Sequence, residues 1–262
     1  MGSTIAFVSA KIGTAAFTAP FASYVGAAAH CEWCGLRELC LPAGLAPHAV
    51  RLFERVISNR MRVKRRDSLY RPDDLFTAVY AIRVGTFKTS MLAEDGREQI
   101  TGYFMGGEIL GADGISHGHH RCGAVALEDS EVCVLPFHLL EKFAHELPAF
   151  GHNLYRLISK DVCRSQDMMF LLGSMRAEQR LVTYLLNLAA RYQARGYSGT
   201  EFMLRMTREE IASMLGLKLE TISRLFSHLQ GEGLIQVQGR SVKLLDSAAL
   251  RWIVGKQSQF ES

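Results

Sequence analysis

No stretch of this 262-residue chain stays apolar for the length of about 20 residues that a membrane-spanning helix needs. The uncharged run over residues 12–29 follows Lys11 as a secretory leader would, but Gly13, Pro20 and Gly26 interrupt it, and it reads as a flexible Ala-rich extension. The chain is therefore expected to be soluble and cytoplasmic. Neither sign of charge dominates: 30 Lys and Arg face 26 Asp and Glu, a balance that permits a polyanionic partner without demanding one. Internal repeats are missing. So is any local pairing of acid, base and nucleophile, and the chain is not expected to be an enzyme.

Cysteine, by contrast, is concentrated. Three of six, Cys31, Cys34 and Cys40, form a C-x2-C-x5-C array. In a reducing compartment such close thiols more often hold metal than form disulfides. The intervening Glu32, Arg37 and Glu38 are not a core pattern. Thiolates suit zinc or iron–sulfur; structural zinc more often uses two separated C-x2-C pairs, so the array leans towards iron–sulfur. A fourth ligand has to come from elsewhere, with Cys122, Cys133 and Cys163 available. His30 flanks the array as a solvated neighbour, and His117, His119 and His120 beside Gly118 read as an exposed turn.

From Ala78 to Pro136 short apolar runs broken by glycine predict antiparallel strands, with turns at Glu94-Asp95-Gly96 and Gly106-Gly107. Closure into a roll removes exposed strand edges. The basic run from Arg60 to Arg66 reads as a solvated lead into that roll. After Pro148, the residues Phe150, Leu154, Leu157, Ile158, Val162, Met168, Met169 and Leu172 recur at helical spacing, the pattern of a packed spacer or, preferably, of one strand of a dimeric coiled coil. A further helix is expected from about Arg176 to Arg195, ending at Gly196.

Thr207-Arg-Glu-Glu210 is a capping box that starts a helix lined by Ile211, Ala212 and Leu215. Gly216 allows a tight turn, and a second helix follows from about Leu219. Glu220, Thr221, Ser223 and Arg224 cluster in its first turns, where side chains enter a major groove: Arg224 suits guanine, Glu220 a cytosine amino group, and the Thr221 methyl a thymine. Two short strands joined by Gly239-Arg240 complete a winged helix-turn-helix. The fold class expected is thus α+β: an N-terminal cysteine-bearing extension (1–47), a β-roll (48–148), a dimerisation helix (149–174) and a winged helix-turn-helix domain (175–262).

The segment Leu219-Glu-Thr-Ile-Ser-Arg224, with Tyr80-Ala-Ile-Arg-x-Gly85, Glu98-Gln-Ile-Thr-Gly102 and Gln166-Asp-Met168, resembles the CRP/FNR regulators, and within them the oxygen-sensing FNR branch. The resemblance implies a homodimer that reads palindromic promoter DNA through Glu220, Ser223 and Arg224 of each subunit, and contact with RNA polymerase through the loop Glu94 to Arg97. It implies a 4Fe-4S cluster on Cys31, Cys34, Cys40 and Cys133, because Cys133 resembles the family's distal cluster cysteine; Cys122 and Cys163 then read as structural thiols. Two positions depart from the pattern. Lys218 stands where relatives often carry a capping Thr or Ser, and is expected to touch phosphate; Ser165 stands where oxygen-labile members often carry an acid that opposes dimerisation, so the dimer is expected to survive without a cluster. Two alternatives share the architecture. A cyclic-nucleotide-responsive regulator would use the Gly107-Glu108 turn, but Gly123, Ala124 and Val125 occupy the positions of its phosphate-binding Arg-Ser pair. A constitutive DNA-binding protein would hold zinc on the same thiols.

Overall fold

A computed structural model describes residues 24–25, 30–93 and 96–255. Most of the Ala-rich extension lies outside the described residues, as do Glu94 and Asp95 of the proposed polymerase loop. In chain order the elements are β1 (Tyr24–Val25), α1 (Pro47–Glu54), β2 (Asn59–Val63), β3 (Ser68–Tyr70), β4 (Ala78–Val84), β5 (Thr86–Leu92), β6 (Glu98–Met105), β7 (Ile109–Leu110), β8 (Gly123–Ala126) and β9 (Ser130–Pro136). There follow α2 (Phe137–Glu146), α3 (Pro148–Ser174), α4 (Ala177–Gln193), β10 (Glu201–Met203), α5 (Arg208–Leu215), α6 (Leu219–Gly231), β11 (Ile235–Gln238), β12 (Ser241–Leu244) and α7 (Ser247–Gly255). This is the α+β arrangement expected.

The roll is two antiparallel sheets, ordered β1-β2-β9-β4-β7 and β3-β8-β5-β6. Period-two alternation gives the five-stranded sheet two apolar faces. Val63, Ile82, Leu110 and Val132 point inward with Phe87 and Ala126 of the other sheet. Val79, Ala81, Ile109 and Leu135 point outward, under Leu41, Phe53, Leu140, Phe150 and Leu154. That outer face is where α1, α2 and the start of α3 pack.

Three expectations change. The basic run is a solvated lead-in only in part: Arg62, Lys64, Arg65 and Arg66 are exposed, but Asn59–Val63 is a strand inside the five-stranded sheet, paired with β9, where Met61 and Val63 face the core and Arg60 is half-buried. The histidine turn is only partly exposed. His117 and His119 are exposed, but His120 is buried, stacked on Tyr70 with ring centroids 3.9 Å apart and bonded to Asp113 at 3.3 Å. Asp113 also accepts from the amides of Arg121 and Cys122, so the carboxylate missing from the local sequence arrives through the fold, and despite burial these donors hold its pKa below the usual range. Tyr24–Val25, within the extension, pairs with Arg60–Met61. Arg66 and Asp73 take the left-handed backbone (φ 75° and 68°) in turns where glycine would be easier.

Candidate cysteine centre and DNA-reading surface

The segment from Cys31 to Ala43 is a chain of tight turns: the amides of Cys34, Arg37, Cys40 and Ala43 each donate to the carbonyl three residues back. Pro47 then starts α1 at its first turn. The loop lies against the Gly106-Gly107 turn so closely that a Cβ would meet Leu36 at 2.7 Å from Gly106 and Leu39 at 2.8 Å from Gly107. These glycines allow the loop to settle on the sheet.

Settled there, Cys31, Cys34 and Cys40 meet Cys133 of β9 around one cavity of about 30 Å³, floored by Ala81, Leu135 and Phe53. Cys122 does not join them; its thiol lies 3.9 Å from the Thr101 hydroxyl. Cys163 is exposed on α3, and His30 is exposed beside the loop. Burial pushes the Cys31 and Cys40 thiols up to about 12, with the neighbouring cysteines adding to the rise. Cys133 is raised by burial too, against the opposing charge of Arg60. Left alone, these sulfurs keep their protons; a cationic group displaces them. The donor set therefore fits a thiolate-bound metal group. Among the described residues no group of three His, Cys, Asp or Glu side chains stands close enough to hold a metal ion.

Two side chains connect this centre to the rest. Asn153, on α3, donates through Nδ2 to the carbonyls of Leu41 (3.2 Å) and Ala43 (2.6 Å), tying the segment next to Cys40 to the helix. At the other end of α3, Arg180 donates to the carbonyls of Leu172, Met175 and Leu215 at 2.7, 2.9 and 3.1 Å. It thereby closes the C-termini of α3 and α5 with one guanidinium. Neither was singled out from sequence, where each reads as an ordinary polar residue on a helix.

On the exposed side of α3, Tyr155, Val162 and Met169 recur every seven residues and are 73%, 52% and 66% exposed. Half-buried Ile158 and exposed Ser165 fall between them and half-buried Leu172 follows, completing a 3.5-residue stripe of the kind that pairs two helices.

The helix-turn-helix forms as the capping box dictates. Thr207 Oγ1 accepts from the Glu210 amide at 3.1 Å and Glu210 accepts from the Thr207 amide at 2.7 Å. Gly216 ends α5 in the left-handed region (φ 63°). Ile222, Phe226 and Leu229 bury one face of α6, leaving Glu220, Ser223 and Arg224 exposed and Thr221 half-buried on the other. Lys218 precedes α6 without making a side-chain cap, as expected from its identity. The unit leans on the outer face of β6: the Ile100 amide donates to Ser213 Oγ at 3.0 Å, and Lys88 lies 3.1 Å from Glu210. Beside it Glu108 sits between the roll and the helices, 2.7 Å from both Arg191 and Arg195 and 3.5 Å from Arg164. Glu108 thus faces arginines outside the roll, the reverse of the nucleotide-binding role considered for Gly107-Glu108.

A β-roll joined by a long helix to a winged helix-turn-helix with an exposed reading face defines a DNA-binding transcription regulator. Residues 60–146 match the family described as the cyclic nucleotide-binding domain, and residues 179–253 the Crp-like helix-turn-helix domain. The chain is 46% identical to the transcriptional regulatory protein btr of Bordetella pertussis, over 88% of this chain and 96% of that one. It is 38% identical to the fumarate and nitrate reduction regulatory protein of Salmonella typhimurium, over 88% and 92%. Among solved structures, FixK2 from Bradyrhizobium japonicum superposes with a TM-score of 0.68 at 28% identity, over 74% of this chain and 96% of that one. The chain belongs to the CRP/FNR family, and its relatives are FNR-type regulators. It is a transcription regulator, not an enzyme. No described helix is long and apolar enough to cross a membrane.

Proposed function

We propose that this regulator senses oxygen through a 4Fe-4S cluster held by Cys31, Cys34, Cys40 and Cys133, and that the held state favours a homodimer able to grip a palindromic promoter. The observation that carries the reading is the meeting of three loop cysteines with Cys133, across the sheet, around one cavity. When bound, such a cluster supplies an oxygen-labile tether between loop and strand.

The chain's own residues supply the transmission. Cys31, Cys34 and Cys40 would hold the cluster from the loop and Cys133 from the sheet, so its presence would set how the loop sits against β9. Asn153 ties the loop to α3 through its two carbonyl contacts. The position of α3 sets how the Tyr155–Val162–Met169 stripe packs against its copy, and Arg180 ties the end of the helix to α5. With the subunits paired, Glu220, Ser223 and Arg224 of each read half a site, Thr221 offers its methyl to a thymine, and Lys218 touches phosphate. Ser165 places no charge in the stripe, which supports a dimer that persists after cluster loss. Contact with RNA polymerase, and work in the cytoplasm, belong to the same proposal.

The test is anaerobic purification, iron and sulfide analysis, and an absorption spectrum before and after air. Iron with acid-labile sulfide, bleaching in air, and loss of iron in Cys133→Ser but not in Cys122→Ser or Cys163→Ser support the reading. Zinc in place of iron, with an unchanged spectrum in air, overturns it in favour of a constitutive regulator.

A further inference from the structure

Under the cysteines lies a buried cation with a donor left over. Arg60 of β2 stands directly opposite Cys133 of β9, and cross-strand partners project from the same face of a sheet. Ala81 of β4 pairs with Cys133 from the other side, so Arg60, Cys133 and Ala81 form one row beneath the loop. The Arg60 side chain is only 12% exposed, and its Nε is buried with no hydrogen-bond partner among the described residues. Its nearest carboxylate oxygen, on Glu131, is 4.0 Å away, too far for a hydrogen bond. That same oxygen is already bonded to Arg83 at 2.7 Å. A buried, unsatisfied guanidinium N–H is costly, and its persistence calls for an acceptor that arrives later.

The chemistry of the neighbourhood says which. Four thiolates closing around one group concentrate negative charge, and hydrogen bonds to cluster sulfur together with net charge set how firmly such a group is held. Arg60 faces that charge from its place opposite Cys133, while Arg83 on the neighbouring strand is already bonded to Glu131.

We propose that Arg60 donates its free Nε–H to a sulfur of the group held by Cys31, Cys34, Cys40 and Cys133, and provides the positive charge that balances those thiolates. Arg60 is a positioning and charge-setting residue, resting on the cluster reading above; it is not itself a ligand. Arg62, two residues along the same strand, is the natural control. It also lies 4.0 Å from Glu131, but its side chain is 63% exposed.

The experiment compares wild type, Arg60→Leu, Arg60→Met, Arg60→Lys and Arg62→Leu, all purified without air and checked for wild-type far-UV circular dichroism. Two rates are read: transfer of iron to a ferrous chelator without air, and loss of visible absorbance in air. Arg60→Leu and Arg60→Met are expected to lose iron and colour about tenfold faster, the scale of one charged hydrogen bond. Arg60→Lys should recover part of the loss by restoring charge, and Arg62→Leu should match wild type. Wild-type rates in the folded Leu and Met variants of an iron-loaded protein overturn the role of Arg60 alone; a wild type that carries no iron removes the cluster reading and this inference together.

Discussion

Replacing Glu108 by alanine is the sharpest test of how the roll, the long helix and the DNA-reading unit are joined. The Glu108 side chain is 15% exposed and faces Arg191, Arg195 and Arg164, whose side chains are 16%, 6% and 35% exposed. It also accepts from the Met105 amide at 3.1 Å. Burial alone would raise its pKa, but the three guanidiniums and the amide outweigh burial and hold it below the usual glutamate value. Removing the carboxylate leaves buried arginines uncompensated, a loss of about 3 kcal/mol or more. For a chain of this size each kcal/mol moves the melting temperature by about 2 to 4 °C, so Glu108→Ala should melt roughly 10 °C below wild type at neutral pH by circular dichroism or calorimetry. The pH dependence has a fixed sign. A depressed folded pKa means the stabilisation is present above the unfolded glutamate pKa and is lost as pH falls through the folded one. Wild type and variant should therefore converge in acid. The exposed pair Lys64–Asp129, at 2.7 Å, serves as control, and Lys64→Ala should leave the melting temperature unchanged. A Glu108→Ala protein that melts with wild type at neutral pH, or a gap that widens in acid, would refute the reasoning.

Arg224→Ala should weaken binding to a cognate palindrome by about 1 to 3 kcal/mol per half-site and relax the preference at one base pair of each, as read by gel shift on permuted sites. Val162→Asp places a charge at the centre of the exposed stripe on α3; sedimentation should show monomer, and affinity for the full palindrome should fall by about a hundredfold with half-site binding unchanged. Asp161, on the same helix, is pushed up to about 6, chiefly by burial, with Glu108 adding and Arg164 and Arg191 opposing. A raised folded pKa gives stability that is complete below the unfolded value and lost as pH rises through about 6. Asp161→Asn should accordingly raise the melting temperature at pH 7.5 and not at pH 4.

Wherever local chemistry decides the structure, the sequence was sufficient. The capping box at Thr207 and Glu210, the turn at Gly216 and the apolar period of α3 rest on neighbours within a few residues, and they stand where the spacing puts them. The meeting of Cys31, Cys34 and Cys40 with Cys133 was anticipated through resemblance, since spacing alone left Cys122 and Cys163 equally open. What escaped depends on distant partners. Arg60 looked solvated because β2 is charged at alternate positions, and its partner strand begins some seventy residues later. His120 looked exposed because Asp113 reaches it through a turn and Tyr70 through the opposite wall. Asn153, Arg180 and Glu108 are single polar residues in apolar company, and only tertiary packing distinguishes a buried connector from a wet surface group.

The Tyr70–His120 stack carries a last consequence. The chamber between the two sheets is filled by aromatic and aliphatic side chains, with the Tyr70 and His120 rings stacked among them. An inhibitor aimed at that chamber would have to pry apart paired rings before gaining a foothold. On the outer side of the same wall four thiols share a cavity of only about 30 Å³ under a closely settled loop, so a probe aimed there would have to bind sulfur rather than fill space.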